Sequence, residues 1–192
     1  MLRILSGQPG LFLDRDGVIN QYVFESVRSA DQFRYFDGTA KAMRLLGQLD
    51  CPIVVVTNQS AIGRGWTEAS QVDEIHHRLC QDALSWGATI RSVEYCPHLP
   101  DAGCDCRKPG TQMFERAARA HEIDLARSVM VGDSPCDMEA AKRLGMTRIL
   151  VETGRGETPQ SASLEVDARV VDLEAAARWI EQHGKLSGGE NG

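Results

Sequence analysis

The sequence predicts an α/β domain with a mostly parallel β-sheet. Short runs rich in β-branched residues alternate along the chain with longer amphipathic stretches, and this alternation is typical of such domains. The chain has 192 residues, of which 42% are hydrophobic, and this is enough to build one full core. We therefore expect a single domain over residues 1–184, followed by a disordered tail over residues 185–192.

Six apolar runs are predicted to be strands. Each is short, is rich in Val, Ile or Leu, and gives way to polar or glycine-containing segments. The predicted strands span residues 11–13, 53–56, 90–95, 129–131, 148–151 and 168–171.

Five helices are predicted from apolar residues that recur with helical spacing. Gly87 is expected to end the second helix, and Ser134 followed by Pro135 is expected to begin the fourth, which Gly145 ends. The helices are placed at about residues 43–49, 72–86, 111–121, 134–145 and 172–183.

Charge and hydropathy argue against two classes of function. The net charge of -6 is unfavourable for binding a phosphate backbone, which depends on basic residues, so no nucleic-acid partner is expected. No apolar run approaches the roughly 20 residues that a membrane span needs, and the N-terminus lacks the pattern of a secretory signal. We expect a cytoplasmic protein with no membrane partner.

Polar side chains follow the predicted strands. In FLDRDGVIN, Asp14 and Asp16 come directly after the first strand on the same side of an extended chain, where two like charges need a cation or a proton between them. TNQS (57–60) follows the second strand, CRKPG (106–110) lies in the loop after the third, and VGDSPCD (131–137) covers the end of the fourth. Because function in such sheets collects at the carboxyl ends of the strands, we expect one crevice there.

A second cluster is rich in metal-binding residues. Three of the six cysteines, Cys96, Cys104 and Cys106, stand within eleven residues of sequence together with His98. In a cytosolic protein such a cluster indicates metal binding and not disulfides.

Together the motifs resemble those of the haloacid dehalogenase-like (HAD) phosphohydrolases. DRDG matches the first motif of that superfamily, Thr57 in VVVTNQ the second, Lys108 the third and GDSPCD the fourth, in this order over residues 10–153. The resemblance implies a Rossmann-like three-layer fold. It also implies Mg²⁺-dependent hydrolysis of phosphate monoesters through an aspartyl-phosphate, a reaction that needs positioning and charge neutralisation.

The resemblance assigns the catalytic roles to the paired aspartates. It implies that Asp14 is the nucleophile and that Asp16 is the general acid and later the general base. The second role requires a carboxyl that a neighbouring anion keeps protonated part of the time. Thr57, Lys108 and backbone N–H groups after the first strand would hold the oxygens of the transferred phosphate.

The same resemblance implies a magnesium site. Mg²⁺ would bridge the carboxylates of Asp14 and Asp133 and take the backbone carbonyl of Asp16, with Asp137 in the outer shell. Taken alone, Asp133 and Asp137 could be acids favoured at a helix start, and Lys108 could be a solvated surface lysine.

Three segments narrow the resemblance to two branches of the superfamily. DRDGVIN, TNQSAIGRGW and CPHLPDAGCDCRKPG are similar to segments of the D,D-heptose 1,7-bisphosphate phosphatases and of the related histidinol-phosphatases. VIN and RYFDG favour the heptose branch, whereas the five-residue spacing between His98 and Cys104 is common in the histidinol-phosphatases. The chain also departs from the second motif, because Ala61 replaces a glycine often found there. We predict removal of the C7 phosphate of a heptose 1,7-bisphosphate, with histidinol phosphate or another small sugar phosphate as the alternative.

Both branches carry a small zinc loop, which here spans about residues 96–106. Three thiolates and one imidazole suit a closed tetrahedral structural zinc, and four protein ligands leave no position for a catalytic water. Zinc is expected to fix the loop so that Arg107 and Lys108 reach the phosphate. A non-enzymatic alternative is a zinc loop that binds a protein or nucleic acid, and the acidic net charge is against it.

The spacing of the motifs leaves no room for a cap domain, because strands, helices and the zinc loop fill both of the long intervals. An open crevice suits a sugar bisphosphate whose second anionic end is held by basic side chains. Arg64 could instead be a solvated arginine between two turn glycines. The predicted substrate contacts are Asn58, Gln59, Arg64, Arg107 and Lys108. We expect a monomer.

Four further histidines fall on predicted helices without ligand partners at suitable spacing. Surface or packing roles are expected for His76, His77, His121 and His183.

Overall fold

The computed structural model describes residues 7–24 and 26–183. The predicted disordered tail, residues 185–192, lies outside the described residues. Within the described part of the chain, none of the helices combines the length and the apolar character that crossing a membrane requires.

A six-stranded parallel sheet forms the centre of the fold. The strands lie in the order β3-β2-β1-β4-β5-β6, and every neighbouring pair is parallel. Their bounds are β1 (Leu11–Leu13), β2 (Ile53–Asn58), β3 (Ile90–Cys96), β4 (Val129–Gly132), β5 (Thr147–Val151) and β6 (Ala168–Val170).

Helices connect the strands. They are α1 (Thr39–Leu46), α2 (Ser60–Gly63), α3 (Ala69–Ser85), α4 (Gln112–His121), α5 (Pro135–Arg143), α6 (Pro159–Ala162) and α7 (Leu173–His183), with 3₁₀ turns at Ala30–Gln32 and Leu125–Arg127.

The sheet separates two hydrophobic clusters. Leu11 and Leu13 of β1 pack in one cluster with apolar residues of α1, α3 and α7. Phe12 points to the opposite face, where it packs with residues of α4 and α5 and lies 5.3 Å from Phe114, measured between ring centroids. Because side chains alternate along a strand and both faces are covered, the fold has three layers. The predicted three-layer α/β fold is confirmed.

Several element boundaries differ from the predicted ones. β2 continues to Asn58, because Thr57 and Asn58 still pair with β3. α1 ends at Leu46, so Leu49 lies beyond the helix that its spacing suggested. Sequence analysis misses α2 and α6, which have only four residues each, too few to show helical periodicity.

The carboxyl end of β1 is the point where the order of the strands reverses. The chain leaves β1 toward β2 and β3 on one side, and it returns to β4, β5 and β6 on the other. A crevice forms at such a switch point because the flanking loops diverge. Among the described residues between β1 and β2, the helical elements are one 3₁₀ turn and α1, so that segment contributes no cap domain.

Candidate active site

A cavity of about 460 Å³ opens at the carboxyl ends of β1, β2 and β4. Asp14 follows β1 directly, Thr57 lies near the end of β2, and Asp133 follows β4 directly. The predicted site residues that line this cavity are Asp14, Asp16, Thr57, Asn58, Arg64, Arg107, Lys108 and Asp133. Segments far apart in the sequence therefore meet in one crevice.

Lys108 reaches the centre of this cavity from the loop after β3. Its side chain is 1% exposed, and its Nζ lies 2.8 Å from Oδ1 of Asp14 and 2.6 Å from Oδ1 of Asp137. The ammonium also donates a hydrogen bond to the carbonyl oxygen of Val56 at 2.7 Å. Burial lowers the pKa of Lys108, but the charges of Asp137 and Asp14 outweigh it and raise the pKa above its usual value. The ammonium therefore stays charged.

Three carboxylates crowd together beside Lys108. One oxygen from each of Asp14, Asp133 and Asp137 lies within 4.8 Å of the others. Burial raises the pKa of Asp14 to about 7, although Lys108 opposes this rise. Burial, and then the charges of Asp14 and Asp137, raise the pKa of Asp133 to about 8. A buried anionic group of oxygen donors fits a hard divalent cation such as Mg²⁺.

Two glycines make room for the Asp133 carboxylate. Gly17 and Gly154 have φ angles of 92° and 63°, and a Cβ on either would overlap Oδ2 of Asp133. The backbone N–H of Arg155 donates to the same oxygen at 2.8 Å. The turn after β1 and the turn after β5 therefore hold this carboxylate between them.

Asp137 is fully buried at the start of α5. One of its oxygens faces Lys108, and the other accepts hydrogen bonds from the backbone N–H and the hydroxyl of Ser134, at 3.2 Å and 2.5 Å. The bond from the Ser134 N–H belongs to a capping box in which the Ser134 side chain accepts from the Asp137 N–H in return, so Asp137 both caps the start of the helix and anchors the lysine.

Asp16 is held as an anion by Arg15 and Asn20, which sequence analysis did not identify, and by Gln59, which it predicted as a substrate contact. Both of its oxygens accept from Nη2 of Arg15, at 2.9 and 3.1 Å, and Asn20 and Gln59 donate to it at 2.9 and 2.8 Å. Burial favours a higher pKa, but the Arg15 charge and these hydrogen bonds outweigh it and bring the pKa of Asp16 below its usual value. The free protein therefore favours the carboxylate form of Asp16, and its role as general acid stays a prediction.

His76 is buried and packs against Tyr95, as its predicted packing role implies, and it also has a polar partner. It is 7% exposed, and its Nε2 lies 3.0 Å from Nη1 of Arg15. Burial, and then the charge of Arg15, lower the pKa of His76 to about 3. The ring is therefore neutral at physiological pH and has a polar partner next to the paired aspartates.

Asn58 and Gln59 bond to the protein's own groups. The Asn58 amide donates to the carbonyl of Lys108 at 3.2 Å and accepts from its N–H at 3.0 Å. Gln59, 1% exposed, donates to Asp16 and to the hydroxyl of Thr57, each at 2.8 Å, and accepts from Arg15. These bonds position other site residues, so direct substrate contact by either amide stays a prediction.

Arginines line the outer part of the cavity. Arg64 and Arg107, both predicted from sequence, are joined there by Arg155, which sequence analysis missed. The Arg64 guanidinium lies over the Trp66 ring, 5.0 Å from its centroid. The cavity therefore has acids and a lysine at its base and guanidinium groups around its mouth.

The four predicted zinc ligands meet in the loop after β3. The sulfur–sulfur distances are 3.2 Å from Cys106 to Cys96, 3.5 Å from Cys106 to Cys104 and 3.6 Å from Cys96 to Cys104. Nδ1 of His98 lies 3.2 Å from Cys106 and 3.5 Å from Cys96. Ligands at about 2.3 Å from a tetrahedral zinc would stand about 3.8 Å apart. The four donor atoms fit such a site after a small expansion.

The chain is similar in sequence to known phosphatases. It matches the family described as HAD-hydrolase-like over residues 105–176. A D-glycero-beta-D-manno-heptose-1,7-bisphosphate 7-phosphatase from Bordetella bronchiseptica is 37% identical over 174 residues, which cover 90% of this chain and 97% of that protein. The protein of the same name from Escherichia coli K12 is 39% identical over 188 residues, covering 90% of this chain and 87% of that protein.

Two solved structures share the fold at appreciable sequence identity. The D,D-heptose 1,7-bisphosphate phosphatase from B. bronchiseptica, complexed with magnesium and phosphate, has a TM-score of 0.84 and 37% identity. The one from Burkholderia thailandensis has a TM-score of 0.69 and 31% identity. Each comparison covers 91% of this chain and 99% of the other.

Replacing Gly154 should disturb the acid cluster. We expect Gly154→Ala to weaken Mg²⁺ binding by about tenfold or more, a size typical of changes to groups that orient a metal ligand. The new Cβ would displace the Asp133 carboxylate. Isothermal titration calorimetry with Mg²⁺ measures the change.

Gly145→Ala is the matched control. Gly145 has a similar φ of 69°, but a Cβ there meets only Ala126, at 4.0 Å, so this variant carries a comparable backbone strain without touching the acids. Its Mg²⁺ affinity should equal that of the wild type. Equal affinity in Gly154→Ala would contradict a metal site that includes Asp133.

Proposed function

Because the chain belongs to the HAD-like hydrolases, among the D-glycero-D-manno-heptose-1,7-bisphosphate 7-phosphatases, we propose that it removes the C7 phosphate of D-glycero-D-manno-heptose 1,7-bisphosphate. The relatives that support this substrate are 37% to 39% identical and match about nine-tenths of the chain. The products are heptose 1-phosphate and inorganic phosphate.

The contact between Lys108 and Asp14 carries the proposal. The 2.8 Å distance places a permanent positive charge beside the carboxylate that would attack phosphorus. Thr57, 1% exposed, lines the same cavity with its hydroxyl hydrogen-bonded to Gln59. A phosphoryl group next to Asp14 would find an ammonium and a hydroxyl within reach, and such preorganised groups stabilise the charge of a transition state.

The first chemical step transfers the phosphoryl group to Asp14. A carboxylate oxygen of Asp14 attacks phosphorus, and the bond between phosphorus and the C7 oxygen breaks. Asp16 gives its proton to the departing oxygen, so that the sugar leaves as an alcohol. Arg15 keeps Asp16 anionic in the free protein, so we infer that the incoming phosphate dianion raises the pKa of Asp16 and favours its protonated form.

The second step hydrolyses the aspartyl-phosphate. Asp16, now a carboxylate, takes a proton from a water molecule whose oxygen attacks phosphorus. The bond to Asp14 breaks, and inorganic phosphate and the free carboxylate of Asp14 are restored. Asp16 thus serves first as acid and then as base, because the proton that it gives to the leaving oxygen in the first step is replaced by the proton that it takes from water in the second.

Mg²⁺ is the metal that the donor set at this site favours. We propose that the carboxylates of Asp14 and Asp133 and the backbone carbonyl of Asp16 hold it, with Asp137 behind them in contact with Lys108. Bound there, the cation would neutralise the acids and polarise the phosphoryl oxygens.

The arginines at the cavity mouth support a substrate with a second phosphate. Arg64, Arg107 and Arg155 line the same cavity as Asp14 and Lys108 and are more exposed than those two residues. Guanidinium forks match phosphate oxygens, and a bisphosphate brings one such group to each end of the site.

Zinc bound by the four-residue cluster would stabilise the loop that carries Lys108. Only Arg107 separates the last cluster residue, Cys106, from Lys108. We propose that a structural zinc fixes this loop and so limits the conformations open to the lysine.

Substrate preference tests the proposed reaction. We expect kcat/KM for the heptose bisphosphate to exceed kcat/KM for histidinol phosphate by about tenfold or more, because only the bisphosphate engages the outer arginines. Phosphate release measures both. Asp14→Asn should lower release from either substrate by about 1,000-fold or more. A larger value for histidinol phosphate would overturn the substrate assignment.

Arg107→Met tests recognition of the second phosphate. We expect KM for the heptose bisphosphate to rise by about tenfold, because the variant loses a charge-assisted hydrogen bond to the second phosphate. The rise should be much smaller for the same heptose carrying only the C7 phosphate. Steady-state kinetics on both sugars give the comparison. Arg119→Met, an exposed arginine of α4, removes the same charge away from the cavity and should change neither value. Equal losses on the two sugars would show that Arg107 acts elsewhere.

Zinc removal should lower activity without altering the magnesium site. We expect kcat/KM to fall by about 10- to 100-fold after treatment with a zinc-selective chelator in excess Mg²⁺, because a displaced Lys108 misplaces the phosphate. Activity assays accompany measured zinc content, and added zinc should restore the rate. Cys106→Ser should reproduce the loss and Cys51→Ser, a cysteine outside the cluster, should not. Unchanged kinetics in a verified zinc-free sample would refute this role.

A further inference from the structure

Arg15 is a buried cation directly behind the paired aspartates. It is 0% exposed, and its guanidinium lies 5.8 Å from the centroid of the Phe33 ring. Nη2 donates to both oxygens of Asp16 and to the side-chain oxygen of Gln59. Among the described residues, Nε has no hydrogen-bond partner. One edge of the guanidinium thus orients Asp16, and the position of the other edge depends on few polar contacts.

His76 provides a polar contact on that other edge. Its Nε2 lies 3.0 Å from Nη1 of Arg15. A guanidinium has only donors, so Nε2 must be the acceptor, and the proton of the neutral ring lies on Nδ1. The ring itself packs against Tyr95 of β3, 5.3 Å between centroids. α3 and β3 therefore fix the histidine, and the histidine fixes Arg15.

We propose that His76 is a positioning residue that holds Arg15 and, through it, the carboxyl of Asp16 in the orientation that proton transfer to the leaving group requires. This inference rests on the proposed phosphatase reaction and adds to it a residue that does not line the catalytic cavity. Without the acceptor, Nη1 becomes a buried donor with no partner, and the guanidinium moves toward water or another carbonyl. Asp16 then loses the geometry of a two-oxygen contact.

The leaving group of the substrate separates this role from a general loss of structure. An alkyl phosphate needs a proton on its departing oxygen, whereas p-nitrophenolate leaves without one. A misplaced general acid therefore lowers kcat/KM, which reports formation of the aspartyl-phosphate, more for an alkyl phosphate than for p-nitrophenyl phosphate. kcat also includes hydrolysis of the aspartyl-phosphate, in which Asp16 is the proposed base and which is the same for both substrates. Damage to the fold, to Mg²⁺ binding or to Asp14 would slow both.

The test compares kcat and KM of His76→Met and His76→Gln on glycerol phosphate and p-nitrophenyl phosphate. Met and Gln have similar size, but only Gln keeps an acceptor that can face Arg15. For His76→Met we expect the ratio of kcat/KM on p-nitrophenyl phosphate to kcat/KM on glycerol phosphate to rise by about tenfold, part of the 10²- to 10⁴-fold that general acids contribute. His76→Gln should restore most of the wild-type ratio.

His77→Met is the matched control. His77 is the exposed neighbour of His76 on α3, so this variant makes the same chemical change on the solvent side of the helix. Its kinetics should equal those of the wild type. His76→Asn, whose shorter amide does not reach Arg15, replaces His76→Met if the latter fails to fold.

Two results would overturn the proposal. One is an equal loss of kcat/KM on both substrates in the variants without an acceptor facing Arg15, and the other is a leaving-group ratio that His76→Gln fails to restore. The substrate assignment is tested by a different measurement. A preference for histidinol phosphate would contradict the heptose assignment, but the comparison of glycerol phosphate with p-nitrophenyl phosphate would still test the role of His76.

Discussion

A buried ammonium placed between two carboxylates is the contact on which this site depends. Lys108 lies 2.8 Å from Asp14 and 2.6 Å from Asp137, all three largely withdrawn from solvent. Removing either kind of charge would leave the other buried without compensation, which is strongly unfavourable. The contact exists only if the end of β1, the loop after β3 and the start of α5 meet at one point. Gly132 also makes this contact possible, because a Cβ at this position would overlap the Asp137 side chain.

The loop that carries Lys108 is fastened to the sheet at several places. The Asn58 amide pairs with both the N–H and the carbonyl of Lys108. One residue further along, the backbone N–H of Gln59 donates to the carbonyl of Cys96, the last residue of β3 and the first of the four predicted zinc ligands. The end of β2 thus contacts both the base of the loop and its lysine. A flexible lysine would lose rotamer freedom on binding phosphate, and here most of that freedom is already gone.

Sequence analysis found the residues whose positions follow from strand ends, and it missed those defined by contacts between elements. Asp14 and Asp133 come directly after apolar runs, so a parallel sheet places them together. Arg15 stands between two site aspartates, but its burial and its pairing with His76 of α3 depend on tertiary packing. Gly154 carries a weaker signal, because a glycine in a loop suggests a turn without showing which carboxylate occupies the space. The sequence pattern at strand ends thus identified the acids, whereas the residues that orient them, Arg15, His76 and Gly154, could be identified only from the tertiary structure.

The balance of charge explains why this arrangement calls for a divalent ion. Among the residues that the structure describes, the charged groups clustered around Lys108 and Asp16 are four carboxylates and two cations, namely Asp14, Asp16, Asp133, Asp137, Arg15 and Lys108. The cations leave two negative charges uncompensated. Burial, together with repulsion among the carboxylates, raises the pKa of Asp14 to about 7 and the pKa of Asp133 to about 8. Protons could relieve the surplus, but a protonated Asp14 could not serve as the proposed nucleophile. A cation of charge two relieves it while keeping that carboxylate ionised, and a phosphate dianion then enters a pocket that no longer repels it.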